Sequence, residues 1–110
     1  MIKIAPSILA ADLIDIKDEV KRVDESGAEY IHIDVMDGHY VPNITFGPNI
    51  VKSLRPITKK ILDVHLMINP VKLYISNFID AGADIISFHP EADDNPIEII
   101  RNIKNSKCKA

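Results

Sequence analysis

Apolar positions recur along this chain in two rhythms. Between residues 30 and 36, Ile31, Ile33 and Val35 alternate with Tyr30, His32, Asp34 and Met36. Between 61 and 67, Leu62, Val64 and Leu66 alternate with Asp63, His65 and Met67. Alternation of this kind is the period of a β-strand, whose side chains point to opposite faces in turn. With two further β-rich runs, it predicts strands at 2–7, 30–36, 61–67 and 84–89. The stretches between them follow a helical period. Leu13, Ile16, Val20 and Val23 form a stripe that Asp12 can cap and Gly27 can stop. Pro48 and Asn49 open a short second helix, ended by Pro56. Asn69 and Pro70 suit the first positions of a third, with Val71, Tyr74, Ile75 and Phe78 buried and Gly82 beyond its end. A fourth runs from about Pro96 to Lys104 on Ile97, Ile100 and Ile103, with Asp93 and Asp94 at its favourable N-terminal end.

Strands alternating with helices imply βαβ units and a parallel sheet. Ser26-Gly27-Ala28-Glu29 and Ala81-Gly82-Ala83-Asp84 form a weak repeat, each a helix stop and an acidic residue ahead of a strand. That rhythm suits a (β/α) barrel or a doubly wound sheet and does not choose between them. No linker divides the 110 residues, so one domain, or part of one, is expected. A net charge of -3 gives no electrostatic ground for a nucleic-acid or anionic-membrane partner. No apolar run approaches the roughly 20 residues of a membrane span, and the opening residues lack a signal-peptide layout. The single Cys108 excludes an internal disulfide framework and suits the cytoplasm. It is expected as a surface thiol, within a solvated lysine-rich stretch from Lys104 to Lys109.

The strand faces opposite the apolar ones carry the candidate chemistry. A parallel strand buried on both sides should be apolar on both. Two strands instead each present an acid, a histidine and a methionine on one face. His32, Asp34 and His65 supply two imidazoles and a carboxylate, which suits zinc or another divalent transition metal. His32 and Asp34 share a face, and His65 converges with them if the strands are neighbours, about 4.8 Å apart. Three protein ligands leave room for substrate, as catalysis requires. Met36 and Met67 are core filler or the soft wall of a pocket. Ser7, on the face of Lys3 and Ala5, bonds either a substrate hydroxyl or its own loop. Ser87 and His89 face away from Ile86 and Phe88, so His89 lines the same mouth, supporting the site or the fold. His39 is expected at the surface.

The run Ile33-Asp34-Val35-Met36-Asp37-Gly38-His39-Tyr40-Val41-Pro42-Asn43-Ile44-Thr45-Phe46-Gly47-Pro48 resembles the signature of the ribulose-phosphate 3-epimerase family. Ile4-Ala5-Pro6-Ser7-Ile8-Leu9-Ala10-Ala11-Asp12 and Asp63-Val64-His65-Leu66-Met67 resemble its first and third strands. The resemblance spans residues 1–110 and implies the N-terminal half of a (β/α)8 TIM barrel, in an isomerase of the pentose phosphate pathway. It implies interconversion of D-ribulose 5-phosphate and D-xylulose 5-phosphate by inversion at C3, through an enediolate. Carried over residue by residue, it assigns one divalent metal ion to His32, Asp34 and His65, the general base to Asp34 and substrate binding to Ser7. His65, Met36 and Met67, from their places on the strands, are expected to border the substrate. Zinc is the expected ion, with iron, manganese or cobalt as alternatives. The expected partners are a small-molecule sugar phosphate and further copies in a homo-oligomer.

The family's second acid, an aspartate of the seventh strand, has no counterpart among these residues, nor have its phosphate-binding loops. The chain is therefore expected to be part of a longer one, or a half-barrel that must pair. An allulose-6-phosphate 3-epimerase would share nearly all of these motifs. Related decarboxylases place a lysine between two aspartates, where Asp34-Val35-Met36-Asp37 has none. An inactive half-barrel serving only binding or assembly is the rival from outside enzymology.

Overall fold

A computed structural model describes residues 1–110. Strands β1 (Tyr30–Met36), β2 (Ile61–Met67) and β3 (Ile85–Phe88) form one parallel sheet in that order. Helices α1 (Ile16–Glu25), α2 (Pro48–Leu54), α3 (Ile75–Ala81) and α4 (Pro96–Asn105) accompany them in βα alternation. No helix is long and apolar enough to cross a membrane.

The alternation read in β1 and β2 holds along both strands. Ile31, Ile33, Leu62, Val64 and Leu66 are fully buried against the helices, with Val20, Val51, Leu54, Phe78, Ile99 and Ile103. The other face stays open: the side chains of His32, Asp34 and His65 are 23%, 16% and 26% exposed. One face of the sheet is core, and the other is a surface carrying polar groups.

The repeated Gly-Ala-acid motif has a structural basis. Gly27 and Gly82 end their helices at φ 86° and 108°, in the left-handed region that glycine enters without strain. The acid that follows reaches back to the preceding extended segment. The Glu29 carboxylate accepts from the Ile4 amide at 3.1 Å, and the Asp84 carboxylate accepts from the Leu62 amide at 2.9 Å. Each acid thus sets where its neighbour's pairing begins. Arg55 reinforces the second instance, donating to Asp84 at 2.7 Å and to the carbonyls of Thr58 and Lys60 at 2.9 and 2.8 Å.

Several sequence expectations are corrected. Residues 2–7 do not form a strand. They run beside β1, accepting from Tyr30 and His32 through the carbonyls of Ile4 and Pro6, and make a single bridge at Ser7. Pro6 has no amide to donate, and the Ile4 amide is taken by Glu29, so a reciprocal ladder cannot form. Asp12 does not cap α1; its carboxylate accepts from the Ile14 amide at 3.1 Å, the helix starts after Asp15, and Leu13 is exposed. Asn69 and Pro70 do not open α3. A 3-10 turn at Lys72–Tyr74 precedes it, which leaves Tyr74 exposed while Val71, Ile75 and Phe78 are buried.

In α4 the buried stripe is Ile99 and Ile103, whereas Ile97 and Ile100 face outward. Four isoleucines within seven residues leave more than one stripe open, and packing selects one. Asn95, rather than Asp93 or Asp94, caps this helix by accepting from the Glu98 amide at 3.2 Å. Cys108 is buried, its Sγ 3.4 Å from the Ala83 carbonyl, and burial and the charge of Asp84 raise its pKa. The stretch to Lys109 is not simply a solvated end. Its backbone pairs with the edge of β3, Lys109 donating to Asp84 and its carbonyl accepting from Ile86, both at 2.9 Å. A strand edge presents unpaired amides, and a lysine can satisfy them while its ammonium stays in water.

Candidate functional site

The inward face of β1 and β2 gathers the candidate residues, because the register sets their facing positions side by side. His32 lies opposite Asp63, Asp34 opposite His65, and Met36 opposite Met67. Asp34 is the hub. Its Oδ2 accepts from the Ser7 hydroxyl at 2.5 Å. Its Oδ1 faces His32 Nε2 at 3.1 Å and His65 Nδ1 at 3.2 Å. Ser7 reaches the hub through its bridge to His32, and its oxygen also accepts from the Leu9 amide at 3.2 Å. It therefore serves its own loop and the site together.

Burial acts to raise the Asp34 pKa. The Ser7 hydrogen bond, the nearby His32 and the hydrogen bonds to both histidines outweigh it, so the carboxyl lies below its ordinary value. Asp34 is thus an acceptor at neutral pH.

One ligand atom each from His32, Asp34 and His65 lie within 4.8 Å of one another. Two ring nitrogens and a carboxylate oxygen at this spacing fit a divalent cation. The imidazoles are also braced from behind. His32 Nδ1 lies 2.8 Å from Asp63 Oδ2, and His65 Nε2 lies 2.8 Å from His89 Nε2. Such partners orient ligating rings and set which nitrogen is free.

Met36 and Met67 stand together just beyond the cluster, at the strand ends. Ser87 pairs with His65 in the register and is exposed, and His39 is exposed as expected.

Three supports escaped the sequence. Asp63 was visible on the inward face, but nothing in the pattern tied it to His32. Thr45 donates to the Asp34 carbonyl at 2.6 Å and accepts from the Met36 amide at 3.0 Å, which clamps the end of β1. Asp37 accepts from the amides of His39, Tyr40 and Asn69 at 2.9, 2.8 and 2.8 Å, joining the loops after β1 and β2. Burial would raise its pKa, but these amides hold it below the ordinary value. Only the Asp37-Gly38 turn signal hinted at that role.

A parallel α/β sheet with polar residues gathered on the open face of β1 and β2 defines an α/β protein with a candidate metal centre. Residues 3–110 match the ribulose-phosphate 3 epimerase family, and the chain belongs to that family. It is 58% identical over 95 residues to a ribulose-phosphate 3-epimerase of Synechocystis sp., an alignment covering 86% of this chain and 41% of that protein. It is 54% identical over 110 residues to the Bacillus subtilis protein of the same name, covering 100% of this chain and 51% of that one. With the Escherichia coli (strain K12) protein of that name the identity is 49% over 109 residues, covering 97% and 48%. The chain spans about half the length of the curated relatives it matches. With its parallel three-stranded sheet, that accords with part of a TIM barrel.

Proposed function

We propose that the protein carrying this chain inverts C3 of a ketose phosphate, converting D-ribulose 5-phosphate to and from D-xylulose 5-phosphate. Residues 1–110 then form the N-terminal half of its barrel. The observation that carries this is the convergence of His32, Asp34 and His65 on one face of β1 and β2, with the Ser7 hydroxyl bonded to Asp34, in a chain of this family.

Asp34 removes the C3 proton. A carboxylate held below its ordinary pKa is ionised but weakly basic, so the proton must be made more acidic. A divalent ion held by His32, Asp34 and His65, zinc first among the candidates, would supply Lewis-acid stabilisation of the negative charge that develops on the substrate oxygens. Ser7 binds a substrate hydroxyl while it orients Asp34. Met36 and Met67 give the planar enediolate a polarizable, apolar wall. Inversion also requires an acid on the opposite face of that plane, which strands facing these three would contribute.

Exchange of the C3 proton with solvent deuterium tests this directly. In the full protein, Asp34→Asn is expected to keep the fold and lose exchange by on the order of 10²-fold or more. Wild-type exchange in a folded, metal-loaded Asp34→Asn variant would assign the base elsewhere.

A further inference from the structure

The two histidines of the cluster are built alike, with one difference. Each turns one ring nitrogen to Asp34 Oδ1 and the other to a supporting side chain. For His32 the support is the carboxylate of Asp63, which accepts while ionised. For His65 it is a second imidazole, His89, with the two Nε2 atoms 2.8 Å apart. An imidazole pair has two arrangements. If His65 donates from Nε2, its Nδ1 keeps a lone pair directed at Asp34 and can ligate. If His89 donates instead, a neutral His65 carries its proton on Nδ1, and that nitrogen is closed to a cation.

Ligation through Nδ1 requires the first, and the surroundings of His89 are compatible with it. Its Nδ1 faces Glu91 Oε1 at 3.9 Å. Glu91 accepts from the Tyr40 hydroxyl, and that hydrogen bond holds its carboxyl below the ordinary value, so it is an anion at neutral pH. The centroid of the His89 ring lies 5.1 Å from that of Tyr40 and 5.1 Å from that of His65. When His65 Nδ1 ligates a cation, the proton of the neutral ring sits on Nε2, and the acceptor that the structure sets against it is His89 Nε2, 2.8 Å away.

We propose that His89 is a positioning residue for His65, accepting its Nε2–H so that Nδ1 is presented to a divalent cation beside His32 and Asp34. Glu91 faces the other ring nitrogen of His89, and the Tyr40 hydroxyl holds Glu91. The inference rests on the metal centre proposed above and adds the chain of side chains that makes one ligand competent.

Two measurements on the full protein test it: zinc affinity by competition with a chromophoric chelator, and the His65 Nε2–H hydrogen bond in zinc-loaded protein by 15N NMR. His89→Phe keeps an aromatic ring at this position but removes the acceptor. Zinc affinity is expected to fall about 10- to 100-fold, with the His65 Nε2–H resonance of the zinc-loaded protein shifting as its acceptor is lost. His89→Gln retains an acceptor oxygen and is expected to recover most of the affinity. Unchanged zinc affinity and an unshifted His65 Nε2–H resonance in His89→Phe would overturn the proposal. Equal losses in the Phe and Gln variants would overturn it too, since His89 would then act by packing alone. A wild type that binds no zinc would remove the metal centre and the role of His89 with it, whereas unchanged affinity in His89→Phe beside a zinc-binding wild type would remove the role of His89 alone.

Discussion

At the scale of single residues, one carboxylate organises the site. Asp34 takes Ser7 on one oxygen and both histidines on the other, so each neighbour's position depends on it. Removing a ligand differs from removing a support. In the full protein, His65→Ala is expected to lower zinc affinity by more than the ~10- to 100-fold that loss of a supporting partner costs. Elemental analysis after dialysis reads this, and undiminished metal would take His65 out of the site. His32, Asp34 and His65 were legible in the sequence because polar residues at period two violate the apolar pattern of a buried strand. Asp63 was equally visible, yet its tie to His32 depends on cross-strand register, which an isolated strand pattern does not contain.

At the scale of elements, the loops after β1 and β2 hold the site in place. Asp37 joins them through three amides, and these favour its charged form over the neutral one. Because its folded pKa lies below the unfolded value, Asp37 contributes stability above roughly pH 4, which is lost as pH falls through the lowered value. Asp37→Asn is expected to cost about 1 kcal/mol at neutral pH, seen as a fall of a few degrees in melting temperature. Calorimetry across pH checks the sign. The gap between variant and wild type should close as the solution becomes more acidic than pH 4, and a gap that widens there would show that the carboxylate is not the stabilising form. Element boundaries were legible where the signal is strong: β1 and β2 match over their whole length. They were misread where a local competitor intervenes, as at residues 2–7, where one proline and one side-chain acceptor prevent a ladder.

At the scale of the whole molecule, one face of the sheet is closed and the other open. Only 23 of 110 residues are buried, and Ile2, Ile4, Ile44 and Ile97 are largely exposed. A thin core with apolar surface and a lightly covered edge invites association. The 110 residues prepared alone are expected to elute above monomer size or to unfold readily, with no epimerase turnover above background. Size-exclusion chromatography and a coupled assay provide the check. A well-folded monomer that converts ribulose 5-phosphate would sink both this expectation and the need for an opposing acid.

Sequence alone determined the periodicity, and with it the parallel α/β class, the inward placement of His32, Asp34 and His65, and the glycine-stopped repeat. These are properties of neighbours along the chain, set by strand and helix geometry. Tertiary structure alone decided which isoleucines of α4 face the core, that Cys108 is buried, that Lys109 pairs with β3, and that Asp63 lies against His32 and His89 against His65. Each of these is a contact between residues distant in sequence, fixed by register and by which surfaces are left to cover one another.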